Sequence, residues 1–303
     1  MRNAHLQTIL SSTGRKLWAP KPVKRFQQSA REQVIELGDV RLLVHLNLHD
    51  DAPLVMLIPG WLGSCHSSYV VAAGQALWQA GFSVARINLR DHGDTAHLNE
   101  ELFNSAMIDE VVDLITELRR RHGTAGCGLM GFSLGGNFAL RTVRALPDLT
   151  TLAVCPAMEP ADTMAQIDRS AIYQRYFINK WRKVWADKQR AFPDRYDFGG
   201  AMQLNTVSAL TDYFVRYHST FASTREYFDA YDLSGTSLKG VNAHIIAAED
   251  DPIIAAAHFE QLPESLEVHL TRHGGHGAYL ESWSLRSWLD DYAIAFFAKH
   301  LRG

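Results

Sequence analysis

Apolar residues along this chain form short continuous runs that alternate with stretches of helical periodicity. The run LVMLIPG (54–60) is apolar throughout and ends in Pro-Gly, as expected for a strand buried on both faces of a parallel sheet. Residues 68–80 carry small apolar side chains at helical spacing, and Gly81 ends that run as a typical C-cap. Strand and helix alternating in this way predict βαβ units and an α/β fold, with helices on both faces of a mostly parallel sheet.

The same reading gives the other elements. Two β-rich runs, 33–37 and 40–48, flank Gly38 and Asp39 and predict a hairpin ahead of the parallel strands. Further strands are predicted at 82–90, 126–132, 151–155, 244–250 and 266–272. Further helices are predicted at 104–122, 134–146, 253–262 and 280–301.

The alternation breaks between residues 157 and 240, which hold 15 of the 31 aromatic residues. This concentration predicts a helical cap insertion (157–240) above a core made of 1–156 and 241–303. An apolar stripe at helical spacing predicts a cap face that presses on the core, a few of its members lining a pocket: Tyr173, Tyr176, Phe177, Trp181, Val184 and Trp185. The basic residues of the same helix are expected on a solvated face: Arg175, Lys180, Arg182, Lys183, Lys188 and Arg190.

Candidate chemistry begins with Gly131-Phe132-Ser133-Leu134-Gly135, which matches the G-x-S-x-G nucleophile elbow. A serine at a sharp turn from strand to helix is held in strained geometry, and the flanking glycines remove Cβ atoms that would clash there. The motif lies between an apolar strand and a helix, the context that it requires. The sequence therefore predicts Ser133 as a nucleophile.

A serine nucleophile needs a base and an orienting acid, which follow it along the chain in this fold. His276 is the predicted base, because glycines around it leave its loop free to bring the ring over Ser133; His273 is the less favoured alternative. Asp251 is the predicted acid, because Pro252-Ile253-Ile254 after it keeps the apolar register common in this fold. Asp250 and Glu249 stay open as alternatives.

An oxyanion needs backbone donors. The predicted donors are the N–H of Leu134, at a helix N-terminus, and the N–H of Trp61, in the loop after the first parallel strand. Pro59 stands in this loop where a histidine is common. Two histidines three residues apart, 273 and 276, lack an evident third ligand, so neither a metal site nor a cofactor is predicted.

The net charge of −3 gives no positive field that would attract a nucleic acid, so a nucleic acid is not expected as a partner.

The sequence predicts a cytoplasmic protein, because it has three cysteines without a C-x-x-C pair, no signal-like leader and no long apolar run. Residues 1–31 hold seven basic side chains before the first acid, Glu32. This basic N-terminal arm is expected to be solvated, anchored by Leu6, Ile9, Leu10, Leu17 and Trp18, and is a candidate for transient contact with anionic lipid.

The sequence resembles the YheT-type branch of the α/β-hydrolases over nearly its whole length. The resemblance rests on Asn3-Ala4-His5-Leu6-Gln7-Thr8, the GWLGS loop at 60–64, the elbow with Gly136-Asn137, Glu249-Asp250-Asp251-Pro252 and Gly274-Gly275-His276. Relatives often carry a glycine-rich turn where this chain has residues 90–94, RDHGD. The resemblance implies the α/β-hydrolase fold and acyl hydrolase activity.

The residues and the resemblance together predict a serine hydrolase that cleaves a medium-chain or lipid-like carboxylic ester. In that reaction Ser133 attacks, His276 moves the proton and Asp251 stabilises the imidazolium. A thioesterase or an amidase would use the same residues. A non-catalytic binding protein that retains the pocket is the alternative from another class.

Overall fold

The computed structural model describes residues 3–14, 21–281 and 285–303, and an eight-stranded β-sheet forms its centre. The strands are β1 (Arg31–Leu37), β2 (Val40–Asn47), β3 (Leu54–Ile58), β4 (Ser83–Ile87), β5 (Cys127–Phe132), β6 (Thr150–Val154), β7 (Ala243–Ala248) and β8 (Leu266–Thr271). Their order across the sheet is β1-β2-β4-β3-β5-β6-β7-β8. Strand β2 runs antiparallel to both of its neighbours, and the other pairs are parallel. The predicted hairpin and mostly parallel sheet are confirmed.

Helices cover both faces of this sheet. The α-helices are α1 (Ala4–Ile9), α2 (Lys21–Gln28), α3 (Ser68–Gln79), α4 (Asp109–His122), α5 (Leu134–Ala145), α6 (Pro160–Arg169), α7 (Ala171–Ala191), α8 (Val207–His218), α9 (Thr224–Asp229) and α10 (Trp288–Leu301). A π-helical turn (Leu10–Gly14) and two 3₁₀ turns (Ala201–Gln203 and Ala256–Phe259) complete the helical elements of the described residues.

The sheet separates two hydrophobic cores. One core lies under α2, α3 and α10, and the other lies under α4, α5 and the helices α6 to α9. Every residue of β3, β4 and β5 is buried, because both faces of these central strands are covered. This double coverage explains why β3 and β5 are continuously apolar in sequence instead of alternating, whereas β4 also contains the buried Ser83 and Arg86.

Two predicted helices begin later in the structure than the sequence pattern indicates. The predicted helix 104–122 begins only at Asp109, because tertiary bonds hold the backbone ahead of it: Tyr227 Oη accepts from the Ser105 N–H at 3.0 Å, and Arg141 donates to the Ser105 carbonyl at 2.7 Å. The predicted helix 280–301 begins at Trp288, since Leu280 pairs with Ser287 in an antiparallel bridge.

The predicted helix 253–262 is wrong apart from the single 3₁₀ turn Ala256–Phe259. The side chain of Asp251 accepts from the N–H groups of Ile253 and Ile254, at 2.8 and 3.0 Å. These bonds fold the chain into a tight turn in place of a helix start.

The segment between β6 and β7 contains helices and no strand among its described residues. The predicted solvated arm is wrong at Gln7, Thr8 and Ser11, which are buried, whereas His5 and Ile9 are exposed. The predicted anchors Leu17 and Trp18 lie outside the described residues. Within the described part of the chain, every helix is too short or too polar to span a bilayer.

Candidate active site

The turn from β5 to α5 carries Ser133 in a strained backbone conformation. Its φ and ψ are 54° and −117°, a region that side chains other than glycine rarely adopt. A Cβ on Gly131 would lie 2.0 Å from the Gly135 carbonyl oxygen, and one on Gly135 would lie 2.4 Å from the Ile58 oxygen. Neither position can therefore hold a side chain. The local geometry is that of a nucleophile elbow.

His276 and Asp251 form a hydrogen-bonded pair, and His276 lines the same cavity as Ser133. The Nδ1 atom of His276 lies 2.8 Å from Oδ2 of Asp251, whose side chain is only 2% exposed. A carboxylate can only accept, so Nδ1 carries the proton and Nε2 keeps its lone pair. A ring held in this tautomer can receive a proton from a serine hydroxyl.

The neighbouring acid and histidine form a separate pair. Asp250 Oδ2 lies 3.2 Å from His273 Nδ1, and Asp250 Oδ1 accepts from the N–H groups of Gly274 and Gly275, both at 2.8 Å. Asp250 thus fixes the start of the loop that carries His276. The His273 side chain is 42% exposed.

Ser133 and His276 line one cavity of about 540 Å³, although no direct hydrogen bond between their side chains occurs among the described contacts. Catalytic hydrogen bonds are often long without substrate and tighten when it binds. The cavity size falls within the range of small-molecule sites.

The backbone of the loop after β3 approaches the elbow closely. A Cβ on Gly60 would lie 3.2 Å from the Ser133 Cβ atom, so the glycine permits this approach. The N–H groups of Trp61 and Leu134, the two predicted oxyanion donors, form no hydrogen bond with any described residue. Trp61 and Leu134 both line a smaller pocket, of about 30 Å³, that also includes Ser133.

Two side chains that the sequence analysis did not identify support this loop. Tyr69 Oη accepts from the Gly60 N–H at 3.0 Å, and burial raises the pKa of Tyr69 to about 12. His92 Nε2 accepts from the Leu62 N–H at 3.0 Å, and its Nδ1 lies 2.8 Å from the Arg90 carbonyl. Burial lowers the pKa of His92 to about 4, so the ring stays neutral and can accept. These contacts replace the support expected from a histidine at position 59.

The segment that carries His92 is fixed in turn by a buried ion pair. Lys188 Nζ lies 2.9 Å from Asp91 Oδ1, and the two side chains are 0% and 1% exposed. The ammonium also donates to the carbonyls of Asn99 and Glu101, at 2.6 and 2.9 Å. The solvated face predicted for the basic residues of α7 is therefore wrong at Lys188, which links this helix to the 90–94 segment.

Removing this ammonium should strongly destabilise the protein. Lys188→Met leaves Asp91 buried without its partner, and we expect the free energy of unfolding to fall by about 3–5 kcal/mol. Lys183→Met removes an exposed pair with Asp187 on the same helix and should cost less than about 0.5 kcal/mol. Urea unfolding of both variants provides the measurement. Equal losses of unfolding free energy in the two variants would contradict the role of the buried pair. The double variant Lys188→Met, Asp91→Asn should recover part of the stability lost in Lys188→Met.

Aromatic side chains of α7 form one wall of the large cavity. Tyr173, Tyr176 and Phe177 line it, and Phe177 stacks on Trp61 with ring centroids 5.3 Å apart. Trp185 belongs instead to the core, at 2% exposure. The predicted stripe thus divides into a part that lines the cavity and a part that packs on the core.

Two groups of side chains in the described residues have metal-ligand composition. One comprises Cys155, Asp251 and His276, whose ligand atoms lie within 4.8 Å of one another. Asp251 and His276 already bond each other, and the Cys155 Sγ atom lies 3.0 Å from Tyr279 Oη. Burial raises the pKa of the Cys155 thiol, which favours the neutral form over the thiolate that metals bind.

The second group comprises His45, Cys65 and His66. Burial raises the pKa of Cys65 to about 12 and lowers the pKa of His45 to about 4. The nearby Arg86 guanidinium contributes to lowering the pKa of His45 and repels a cation. The residue types of this group are those of a metal site, but its neutral thiol and the nearby positive charge disfavour binding of a cation.

Comparisons with known proteins place this geometry in context. The profile of the alpha/beta hydrolase family matches residues 55–286. The chain is 24% identical over 253 residues to the Escherichia coli (strain K12) protein named "Putative esterase YheT", covering 78% of this chain and 74% of that one. It is 23% identical over 277 residues to "Protein abhd-3.2" of Caenorhabditis elegans, covering 82% and 72%.

Solved structures agree on the fold. The Pyrococcus furiosus esterase Pf2001 superposes with a TM-score of 0.61 at 14% identity, covering 93% of this chain and 96% of that one. Est1E of Butyrivibrio proteoclasticus with bound ferulic acid gives a TM-score of 0.57 at 13% identity, covering 89% and 100%. Identities this low support the shared architecture alone.

Proposed function

Because this chain belongs to the alpha/beta hydrolase family and its relatives include esterases, we propose that it is a serine hydrolase of medium-chain or lipid-like carboxylic esters. The observation that carries the proposal is the 2.8 Å contact between His276 and Asp251, because His276 and the strained Ser133 line the same large and mostly apolar cavity. In the proposed reaction Ser133 Oγ attacks the ester carbonyl and His276 takes its proton. The same histidine then protonates the leaving alcohol, and water hydrolyses the acyl-enzyme.

The oxyanion of each tetrahedral intermediate would be held by the N–H groups of Trp61 and Leu134. Support comes from the lack of other acceptors for these groups among the described residues, from the positive end of the α5 dipole at Leu134, and from the close approach of Gly60 to Ser133. Tyr69 and His92 would keep the loop of Trp61 in place before substrate arrives. No step in this sequence requires a cofactor.

We assign residues 157–240 as a cap over a catalytic core of 1–156 and 241–303. The contribution of Tyr173, Tyr176 and Phe177 to the cavity wall supports this division, because it makes the cap part of the substrate site. The described cysteines, all buried free thiols, are compatible with the proposed cytoplasmic location.

A lipid-like substrate is favoured by the residues at the edge of the cavity. Ile9, Ile172 and Tyr176 line it and are 36%, 61% and 37% exposed, so apolar surface continues from the cavity towards solvent. Exposed apolar side chains grouped at a site commonly mark contact with an apolar ligand or an interface. The basic N-terminal arm, together with the exposed Arg175, would favour an anionic lipid surface.

Hydrolysis of p-nitrophenyl esters of increasing acyl length tests the substrate proposal. We expect kcat/KM to rise from acetyl to octanoyl, by up to about fourfold per methylene, because each buried methylene contributes about 0.8 kcal/mol. Tyr176→Ala should flatten this rise, whereas Tyr217→Ala, an exposed tyrosine elsewhere on the cap, should not. Equal turnover of acetyl and octanoyl esters would show that the cavity does not hold the acyl chain.

The same assay separates the alternative activities. An octanoyl thioester and an octanoyl anilide, measured beside the oxygen ester, distinguish a thioesterase or an amidase from an esterase. Monoacylglycerol in vesicles with and without phosphatidylserine tests the contribution of an anionic surface. A folded protein that hydrolyses none of these and does not react with a fluorophosphonate probe would support the binding-protein alternative.

A further inference from the structure

The loop that carries His276 contacts the N-terminal helix α1, more than 260 residues away in sequence. The backbone N–H of His276 donates to Thr8 Oγ1 at 2.9 Å, and the N–H of Leu280 donates to Gln7 Oε1 at 2.8 Å. Two amides of the loop, at the histidine and four residues after it, are therefore bound by consecutive side chains of one helix. Gln7 and Thr8 are buried, at 1% and 9% exposure, so water competes little for these bonds.

The Thr8 hydroxyl is itself held in orientation. It donates to the carbonyl of Ala4 at 2.8 Å, which leaves a lone pair to accept from His276. The start of α1 is fixed by Asn3, whose side chain accepts from the Leu6 N–H at 2.9 Å. Each bond in this series restricts the next, from the beginning of the helix to the amide of the proposed base.

The loop that carries His276 also packs closely against α1 at Gly275. A Cβ on Gly275 would lie 2.7 Å from the Ala4 carbonyl oxygen and 2.9 Å from Thr8 Oγ1. Gly275 also has a φ of 55°, where side chains other than glycine are strained. Gly275 therefore permits tight packing of the loop against α1, which differs from the loop freedom expected from the sequence.

The same segment also contacts the cap and the core. His5 stacks on Tyr173 of α7 with ring centroids 5.7 Å apart, and its Nδ1 lies 2.9 Å from Tyr173 Oη. The Ser11 carbonyl accepts from Ser68 Oγ on α3. Helix α1 and the turn after it thus fill the space between the cap, the core and the proposed base.

We infer that Thr8 is a positioning residue for His276, with Gln7 supporting the same loop, and that the N-terminal segment is therefore part of the reaction site. This inference rests on the proposed function, because it assumes that His276 transfers the proton. Asp251 holds the ring of His276 through Nδ1, and Thr8 holds its backbone. Both restraints are needed to fix Nε2 relative to Ser133.

The test compares three threonine variants with the wild type in steady-state ester hydrolysis. Thr8→Val removes the hydroxyl at nearly constant volume and should lower kcat about 10- to 100-fold, the loss typical of a small misplacement of a catalytic group. Its KM should stay within about twofold, because the bond does not contact substrate. Thr8→Ser keeps the hydroxyl and should restore kcat to within about threefold of the wild type.

Thr116→Val is the matched control. Thr116 makes the same helical bond as Thr8, donating to the carbonyl four residues earlier at 2.8 Å, but it lies exposed on α4 and bonds no loop amide. Its kcat and KM should match the wild type. Thr8→Ala, which adds no buried methyl group, is measured in parallel in case valine disturbs packing and the variant does not fold.

Hydrogen exchange supplies a readout independent of activity. The His276 amide should exchange faster in Thr8→Val and Thr8→Ala than in the wild type and Thr8→Ser. The inference is overturned if the folded variants keep wild-type kcat, if serine does not restore it, or if the loss occurs in KM alone. If the wild type itself hydrolyses no ester, the proposed function fails, whereas the exchange data still decide whether Thr8 fixes the loop.

Discussion

Ser133→Ala is expected to lower kcat for ester hydrolysis by about 10⁶-fold, the largest effect of any single substitution in this chain. A catalytic triad acts as a unit, so removal of the nucleophile leaves only the rate supplied by binding and by the oxyanion donors. The wild type should react covalently with a fluorophosphonate probe, and Ser133→Ala should not. Gel fluorescence of the labelled protein and single-turnover hydrolysis measure the two effects.

The control for this experiment is Ser237→Ala, since Ser237 lies beyond α9 and its hydroxyl donates to the Ser234 carbonyl. It should label and hydrolyse like the wild type. Thermal unfolding should show that Ser133→Ala is folded. Alanine fits where serine does, and the close contacts of the elbow glycines do not change. Persistent labelling of Ser133→Ala would identify another nucleophile and remove the basis of the proposal.

The features that could be predicted from the sequence are those encoded over a few neighbouring residues. Strands β3 and β5 are recognisable because both faces are buried, which requires an unbroken apolar run. The elbow at Ser133 is recognisable because two close backbone approaches require glycines at fixed spacing. The prediction of Asp251 as the acid rests on register alone, and its 2.8 Å contact with His276 supports that choice over Asp250.

The supporting contacts could not be predicted, because they join residues far apart in sequence. Thr8 and His276 are 268 residues apart, and Asp91 and Lys188 are 97 apart. No local pattern distinguishes Lys188, which is buried, from Lys183, which is exposed on the same helix. The sequence does contain one indication of these contacts. Residues 90–94 stand where relatives often carry a glycine-rich turn, and they include both Asp91 and His92.

The second large effect is expected at Asp251, the proposed acid of the triad. Asp251→Asn should lower kcat about 10⁴-fold, which is the loss known for the equivalent change in a serine protease. Oδ1 of Asp251 accepts from the N–H groups of Ile253 and Ile254, so the amide oxygen of asparagine should stay with these donors. Its NH₂ group then faces His276 Nδ1, which must accept instead of donate. The proton moves to Nε2, and the ring can no longer act as the base for Ser133.

Asp250→Asn is the matched comparison, because the two acids are adjacent and each bonds two backbone amides and one histidine. In this variant the amide oxygen keeps the bonds to Gly274 and Gly275, and only the exposed His273 changes tautomer. We expect a loss of less than about tenfold in kcat, since the loop of His276 stays anchored. Steady-state kinetics of both variants at matched thermal stability decide between the acids. A larger loss at Asp250 would mean that the carboxylate bonded to His276 here is not the one that supports the reaction.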